Sequence, residues 1–182
     1  MNHPGYSKAW YKNSPYLQSW YRGVPIIKHP NDRFVYQEII WQTKPDLIIE
    51  TGTHVGGSAL FFADQLDLMV QHEGMDDKAR VISIDIRSNQ EFLDALPEHK
   101  RIAFLYGYPS TDLRVLEEVE KRSAGHDRVM VVLDSDHRKS NVLRELNLYS
   151  RFVTDGCYLI VEDTNPDAYD APDAAYDKAE GT

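Results

Sequence analysis

Cysteine and long apolar runs are what this sequence most clearly lacks. Its 182 residues include one cysteine, Cys157, which cannot form a disulfide within the chain. Because Cys157 stands inside an apolar run, we interpret it as a small core residue rather than a nucleophile. No stretch reaches the roughly eighteen consecutive apolar residues of a membrane-spanning helix. The start of the chain has neither the basic nor the apolar region of a secretory signal, so we expect a cytoplasmic protein without a membrane partner.

An excess of positive charge is also missing. The chain has 29 Asp and Glu residues against 20 Lys and Arg residues, which gives a formal net charge of −9. Binding to nucleic acid needs a basic face that meets the phosphates, so we do not expect this class of partner. With 42% apolar and 27% charged residues, the composition is that of an ordinary globular protein with one domain.

Both ends of the chain differ from the middle. Residues 1–35, the N-terminal arm, interleave aromatic with basic residues, and Pro15, Pro25 and Pro30 interrupt any long helix. Two interpretations stay open for this arm. It is a lid or a contact within a homo-oligomer, because Trp, Tyr and Arg are favoured at such anchors, or it packs over a sheet edge. Residues 36–165 form the predicted main domain, and residues 166–182, rich in Asp, Ala and Pro, are predicted to be a disordered tail.

Three of the ten glycines stand together after an apolar run. Leu47 to Glu50 indicate a strand that ends in a carboxylate, and Gly52, Gly56 and Gly57 follow it. A strand, a glycine turn and a helix form the cofactor pocket of open parallel sheets, because the ligand lies beyond the carboxyl ends of the strands. Glycine lets the backbone approach a ligand closely and adopt a positive φ. An ordinary turn between strand and helix is the alternative interpretation.

The apolar periodicity predicts an alternation of strands and helices. The predicted strands cover residues 47–50, 80–86, 102–107, 128–134 and 156–163. The predicted helices cover residues 34–44, 58–70, 89–96, 110–122 and 139–152, with Ser110 or Thr111 as the cap of the fourth. Right-handed crossovers place such helices on both faces of one sheet. The predicted fold class is therefore α/β with a doubly wound parallel sheet.

Apolar residues mark the faces of two predicted helices. One face of the first helix carries Phe34, Val35, Ile39, Ile40 and Trp41. One face of the last carries Val142, Leu143, Leu146 and Tyr149. We expect these faces to pack against the sheet.

Acidic residues end four of the five predicted strands. Glu50 ends the first strand, Asp85 the second, Asp134 the fourth, and Glu162 with Asp163 the fifth. The carboxyl ends of parallel strands lie at one edge of a sheet, which is the edge that binds ligands. Asp85 follows the first glycine by roughly thirty residues, a spacing that suits hydrogen bonds to the hydroxyls of a ribose. The alternative for Asp85 is a helix cap or a turn.

Asp134, Glu162 and Asp163 form a second acidic group, because the fourth and fifth strands are expected to be neighbours. Like charges at short range repel each other unless a proton or a cation neutralises them. Ligand sets made of oxygen atoms select a hard cation, Mg²⁺ first and then Ca²⁺ or Mn²⁺. Asp136 is either a fourth ligand or an exposed turn residue, and Asp134 is favoured because it follows the strand directly.

His137 is the candidate base. It stands three residues after Asp134, where the chain turns into the next helix. An imidazole beside the predicted metal can take a proton from a hydroxyl that the metal has acidified. His54, in the glycine turn, is better interpreted as a contact to the cofactor or within the loop.

Three motifs together resemble a known family. The segment from Glu50 to Ser58 is similar to the cofactor loop of S-adenosylmethionine-dependent methyltransferases. Combined with Leu133–His137 and Val161–Thr164, it resembles the cephalosporin hydroxylase family, which is related to metal-dependent macrolide-sugar and catechol-type O-methyltransferases. The resemblance covers about residues 20 to 165.

The resemblance implies a class I methyltransferase sheet that binds S-adenosylmethionine and Mg²⁺ within residues 36–165. It implies that Asp134, Glu162 and Asp163 hold the metal and that His137 acts as the base. The implied reaction transfers a methyl group to a hydroxyl of a small molecule or sugar. The cofactor contacts that it implies are Glu50, Gly52, Thr53, His54, Gly56, Gly57, Ser58, Asp85 and Asp134.

Two departures from the family pattern keep alternatives open. His54 stands where many methyltransferases have a glycine, and the fifth strand is followed by an Asp- and Ala-rich tail instead of a helix and an antiparallel strand pair. A non-catalytic module that binds the cofactor is therefore one alternative. A nicotinamide-dependent oxidoreductase is another, although Gly-x-x-x-Gly-Gly departs from Gly-x-Gly-x-x-Gly. For a hydroxylase, no 2-His-1-carboxylate iron triad with suitable spacing is present.

Overall fold

A parallel sheet organises the protein. The computed structural model describes residues 18–87 and 96–164. In chain order, the strands are β1 (Trp20–Tyr21), β2 (Val24–Pro25), β3 (Leu47–Thr51), β4 (Arg80–Asp85), β5 (Ile102–Tyr106), β6 (Val129–Leu133) and β7 (Leu159–Val161). The helices are α1 (Pro30–Thr43), α2 (Gly57–His72), α3 (Leu113–Ser123) and α4 (Lys139–Tyr149), the last followed by a 3-10 turn over Ser150–Phe152. Strands β3 to β7 pair in parallel in the order β5-β4-β3-β6-β7.

Helices cover both faces of this sheet, because alternate residues of its strands are buried in two different cores. Ile48 and Met130 belong to one core, which they share with residues of α1 and α2. Ile49 and Val131, their neighbours along the strands, belong to a second core, which they share with residues of α3 and α4. Because successive side chains of a strand point to opposite faces, the two cores lie on opposite sides of one sheet. The predicted doubly wound parallel sheet is confirmed.

Helix α1 differs from the prediction in its start and in its buried face. It begins at Pro30 rather than at residue 34, because His29 accepts a hydrogen bond from the Asn31 N–H and proline suits the first helical position. The buried residues are Tyr36, Ile40 and Thr43, whereas Phe34, Val35 and Trp41 are exposed. The predicted apolar face was therefore right for Ile40 and wrong for the three exposed residues, since burial follows the contacts with α2 rather than the apolar count.

Smaller corrections concern α3, α4 and β7. Asp112 caps α3 by accepting from the Arg114 N–H, so the predicted caps Ser110 and Thr111 were wrong. On α4, Leu143 is 49% exposed, although it was placed on the buried face. Strand β7 starts at Leu159 rather than Gly156, since Gly156 has a positive φ within a turn that the Cys157 N–H to Thr154 C=O bond closes.

The described part of the N-terminal arm packs on helix α2. Strands β1 and β2 form an antiparallel hairpin, and the Tyr21 ring meets Phe61 edge to face with centroids 5.4 Å apart. The Tyr21 hydroxyl and Arg22 both bind Asp64 of α2. The predicted boundary between residues 35 and 36 falls within α1.

Three predictions lie outside the described residues, wholly or in large part. These are the prediction of a disordered tail, the prediction of a helix over residues 89–96, most of which is not described, and the interpretation of the arm as far as it concerns residues 1–17. Within the described residues, no helix has the length and apolar character needed to cross a bilayer.

Candidate functional site

The glycine turn between β3 and α2 lies at the carboxyl edge of the sheet, as predicted. Gly52 has a φ of 90°, and a Cβ on it would lie 1.8 Å from the carbonyl oxygen of Asp134. A Cβ on Gly57 would lie 2.1 Å from the carbonyl oxygen of Pro25. Glycine at these two positions thus brings the turn against β6 and against the N-terminal arm, where any side chain would collide.

Glu50 is fully buried beneath this turn. Its Oε2 accepts a hydrogen bond of 2.7 Å from Ser83, and its Oε1 has no hydrogen-bond partner among the residues described. Burial raises the pKa of Glu50, against the opposing effect of Lys28 and of the Ser58 and Ser83 hydroxyls. A buried carboxylate oxygen without a partner is costly, so a bound donor is the natural complement of this atom.

The other turn residues have structural partners. The Thr53 hydroxyl lies 2.7 Å from Ser83 Oγ and is buried. His54 has a φ of 50° with an exposed side chain, and its N–H donates to Asp85 Oδ2 at 2.8 Å. The other oxygen of Asp85 accepts from the Arg87 N–H, the turn geometry that was one alternative for this residue. These bonds fix Asp85 at the tip of β4.

A second buried polar atom lies at the same edge. The Tyr106 hydroxyl, at the end of β5, has no hydrogen-bond partner among residues 18–87 and 96–164. Tyr106 pairs with Asp85 in the sheet register. Sequence reasoning missed it, because a tyrosine in a strand gives no sign of function by itself.

The acidic group forms where β6 and β7 end. Donor atoms of Asp134, His137 and Asp163 all lie within 4.8 Å of one another. The His137 Nε2 is 3.3 Å from Asp163 Oδ2, and Asp163 has a φ of 49°. Carboxylate oxygens beside an imidazole can hold a divalent cation, so the donors present fit the predicted metal. The complete predicted ligand set of Asp134, Glu162 and Asp163 stays a prediction.

Lys28 is the residue of this site that sequence reasoning missed. Its Nζ lies 2.7 Å from Asp134 Oδ2 and 2.8 Å from Glu162 Oε1, and the side chain is 2% exposed. The Tyr36 hydroxyl donates a short hydrogen bond to the same Glu162 oxygen. No local pattern reveals these contacts, because 106 residues separate Lys28 from Asp134.

Burial and Lys28 set the charge state of the two carboxylates. Burial raises the pKa of Asp134, Lys28 opposes the rise, and Glu162 adds to it. Burial alone would also raise the pKa of Glu162, but Lys28 and Tyr36 outweigh this effect and the pKa lies below its usual value. Burial acts to lower the pKa of Lys28, yet Asp134 and its other anionic neighbours hold it well above its usual value. The ammonium is therefore charged.

A buried network positions the loop that carries His137. Glu145 of α4 is 1% exposed and accepts from Ser135 Oγ at 2.7 Å and, in a short bond, from Ser110 Oγ. Asn141 Nδ2 donates to the Asp136 carbonyl oxygen at 3.0 Å. These bonds fix the chain between β6 and α4 just before His137.

Asp136 was considered either as a fourth metal ligand or as a turn residue, and its side-chain contacts are those of a turn residue. Both of its carboxylate oxygens bind the guanidinium of Arg138, and Oδ1 also accepts the Arg138 N–H. Its pKa is lowered, chiefly by the hydrogen bond from Arg138. The structure thus supports a turn residue, although a partly buried one with a 31% exposed side chain, over a fourth metal ligand.

A second group of potential ligands has cationic partners of its own. Donor atoms of Asp64 and Asp67, on α2, and of His99 lie within 4.8 Å of one another. Arg22 binds Asp64 at 2.7 Å, and the buried Arg101 binds Asp67 at 2.6 Å. Because guanidinium groups already balance both carboxylates, we interpret this group as an ion-pair network.

The sequence and the geometry agree with one family. Residues 13–181 match the family described as Rhamnosyl O-methyltransferase/CmcI. The chain belongs to this family. The predicted resemblance to the cephalosporin hydroxylase-type O-methyltransferases is thereby confirmed.

Curated relatives within this family extend beyond the present chain. The rhamnosyl O-methyltransferase of Mycobacterium leprae is 35% identical over 161 residues, which are 88% of this chain and 66% of that protein. The rhamnosyl O-methyltransferase of Mycobacterium tuberculosis is 30% identical over the same share of this chain and 62% of its own length. The chain therefore spans just under two thirds of these relatives.

Several solved structures share the fold. An apo-structure of CmcI is 24% identical with a TM-score of 0.63, and it covers 88% of this chain and 63% of its own. A CmcI structure with Mg and SAM is 22% identical with a TM-score of 0.58 over the same shares. The apo structure of a TDP-rhamnose 3'-O-methyltransferase from calicheamicin biosynthesis covers 98% of this chain and 85% of its own at 14% identity, with a TM-score of 0.56. At these identities the likeness concerns the fold.

Proposed function

We propose that this chain is the cofactor- and metal-binding part of an S-adenosylmethionine-dependent, Mg²⁺-dependent O-methyltransferase that acts on a hydroxyl of a sugar or small molecule. One observation carries the proposal. A glycine turn lies above a buried Glu50 oxygen that has no hydrogen-bond partner among the described residues, and it shares one sheet edge with the acidic group around Asp134. Family membership and relatives named for rhamnosyl O-methylation support a sugar substrate.

The cofactor would bind across the turn from Gly52 to Ser58. Within the described residues, Glu50 Oε1 and the Tyr106 hydroxyl have no hydrogen-bond partner and so offer polar contacts there, and Asp85 stands at the tip of the next strand. The remaining predicted contacts, Thr53 and His54, link the turn to Ser83 and Asp85 and so keep it in shape.

The metal would be held by Asp134, Glu162 and Asp163. When both groups are bound, S-adenosylmethionine supplies the methyl group and Mg²⁺ lowers the pKa of the substrate hydroxyl. Asp163 Oδ2, 3.3 Å from His137 Nε2, would accept the hydrogen of that nitrogen, orient the imidazole and stabilise its protonated form. The other ring nitrogen, Nδ1, would then take the hydroxyl proton as the oxygen–carbon bond forms and the sulfur–carbon bond breaks. The fixed loop before His137 holds it in place.

The thermal stability of the chain with added ligands tests this function. A ligand that binds the native state stabilises it, by about 2.7 kcal/mol when its concentration is a hundred times its Kd. This stabilisation raises the melting temperature. We expect S-adenosylmethionine and S-adenosylhomocysteine to raise the melting temperature and NAD to leave it unchanged. Mg²⁺ should add to the shift for the wild type but not for Asp134→Ala.

Asp136→Ala is the matched control, because Asp136 is paired with Arg138 at the protein surface. It should respond to Mg²⁺ as the wild type does. A folded chain that responds to neither nucleoside would overturn the proposal. Binding without methyl transfer to any rhamnosyl acceptor would favour the non-catalytic module instead.

A further inference from the structure

The acidic pocket contains a cation of its own. The three carboxylates of Asp134, Glu162 and Asp163 meet at the ends of β6 and β7, and the ammonium of Lys28 lies between the first two. Lys28 comes from the segment before α1, far from the strands in sequence. A lysine this deeply buried needs compensating charge, and here the compensation comes from two predicted metal ligands.

Two aromatic rings also lie near the Lys28 ammonium. Its Nζ lies 5.4 Å from the ring centre of Tyr36 and 6.0 Å from that of Phe62, a cation–π arrangement. Ile26, two residues earlier, is 1% exposed within the core beneath α2. The ammonium is therefore a built component of the pocket and not a surface side chain that has folded inward.

We propose that Lys28 competes with the divalent metal for Asp134 and Glu162 and thereby sets the metal affinity of the site. The inference rests on the proposed function, in which these carboxylates hold Mg²⁺. A carboxylate that binds an ammonium at 2.7 or 2.8 Å has less negative charge available to attract a metal. Two cations in one pocket of low dielectric also repel each other.

Competition has a structural consequence for the N-terminal arm. Lys28 links the arm to the ends of β6 and β7 through two charge-assisted hydrogen bonds. Metal binding weakens this link. Lys28 therefore stabilises the protein in the absence of bound metal. It also makes metal binding weaker than it would be at the same three carboxylates without a neighbouring ammonium.

Lys28→Met tests the competition, because methionine keeps the apolar stem and removes the charge. Mn²⁺ affinity is measured from the spectrum of the free ion by electron paramagnetic resonance, and Mg²⁺ affinity by displacement of Mn²⁺. We expect Lys28→Met to bind both metals at least about tenfold more tightly than the wild type, since a neighbouring like charge is removed. Its melting temperature without metal should fall, and Mg²⁺ should restore more of it than in the wild type.

Two controls separate charge from other effects. Lys78→Met removes a lysine that binds Asp127 and Asp46 at 2.7 and 3.0 Å, away from the pocket, so its metal affinity should equal that of the wild type. Tyr36→Phe removes a hydrogen bond that an uncharged hydroxyl donates to Glu162, so it should change metal affinity less than Lys28→Met does. If Lys28→Met does not fold, Lys28→Gln takes its place, because glutamine still donates hydrogen bonds without the charge.

The outcomes distinguish this inference from the proposed function. Equal or weaker metal binding by the charge-removed variant, beside a wild type that binds Mn²⁺, overturns the competition and leaves the metal site intact. If the charge-removed variant binds Mn²⁺ and the wild type does not, Lys28 competes strongly enough to prevent metal binding under the conditions of the measurement, which supports the inference. Absence of metal binding in both folded proteins overturns the competition and the proposed metal site together.

Discussion

At the scale of single residues, His54 shows how the glycine turn tolerates a departure from the family pattern. Its φ of 50° lies in the left-handed region, where most L-residues are strained but histidine, asparagine and aspartate occur more often. Its side chain is exposed and its N–H is bound to Asp85, so the backbone is held while the ring is free. The turn thus keeps the shape that glycine gives elsewhere.

This conformation predicts how His54 responds to substitution. His54→Gly should keep or increase the free energy of unfolding, whereas His54→Val should lower it by about 1–2 kcal/mol, because a β-branched residue is poorly tolerated at positive φ. Urea unfolding followed by circular dichroism measures both. His72→Val, the same change at the exposed end of α2, is the control. Equal losses at positions 54 and 72 would contradict the assignment of strain to the turn.

The sequence predicted the acidic residues of the site but not their partners. Asp134 and Glu162 follow strands whose apolar runs are visible in the sequence, and the geometry of a parallel sheet brings their ends together. Lys28 and Tyr36 come from the arm and from α1, and no periodicity relates them to those strands. Their contacts depend on how the arm packs on α2, which is a property of the whole fold.

At the scale of elements, the strands were better predicted than the helix faces. The observed bounds of β3, β4, β5 and β6 differ from the predicted ones by one residue or less at each end. Helix α1 buries Tyr36 and Thr43 and exposes Phe34, which no apolar count could give. A central strand is covered on both faces, so its composition is almost all apolar, whereas a helix packs only where its neighbours allow.

Asp46 joins the beginnings of three strands and predicts a pH dependence of stability. Burial would raise its pKa, but N–H groups of Asp127 and Arg128 and the ammonium of Lys78 outweigh burial and hold the pKa below its usual value. A carboxylate with a lowered folded-state pKa stabilises the fold above the unfolded-state pKa of about 3.9, and this contribution is lost as the pH falls through the folded-state value.

We therefore expect Asp46→Asn to lower the free energy of unfolding by about 1.5–3 kcal/mol near neutral pH, as is typical of hydrogen bonds to a charged group. The difference from the wild type should shrink as the pH falls below about 4. Urea unfolding between pH 7 and pH 3 measures it. Asp127→Asn, which removes an 84% exposed partner of Lys78, should cost much less at every pH. A difference that stays constant with pH would contradict the role assigned to the charge.

At the scale of the whole molecule, the fold class was predictable because the strands of the parallel sheet contribute side chains to two cores. Alternate residues of β3 and β6 lie in opposite cores, one beneath α1 and α2 and one beneath α3 and α4. Only a sheet covered on both faces accommodates such uninterrupted apolar strands. Since the same strands belong to both cores, neither core can be lost while the other stays intact.

This shared sheet predicts a single unfolding transition whichever core is damaged. Phe62→Ala opens the core beneath α2, and Leu116→Ala opens the core beneath α3 on the opposite face. Losses of about 3–5 and 2–5 kcal/mol are typical of such substitutions. In a Trp10→Phe background, tryptophan fluorescence senses Trp20 of β1 and Trp41 of α1, and circular dichroism senses the whole chain. We expect both signals to move together in both variants, while Leu68→Ala, at a 49% exposed position of α2, changes them little. If Leu116→Ala shifted circular dichroism but left the fluorescence transition in place, the two faces would unfold separately, and the sheet would not be the cooperative unit that its registers imply.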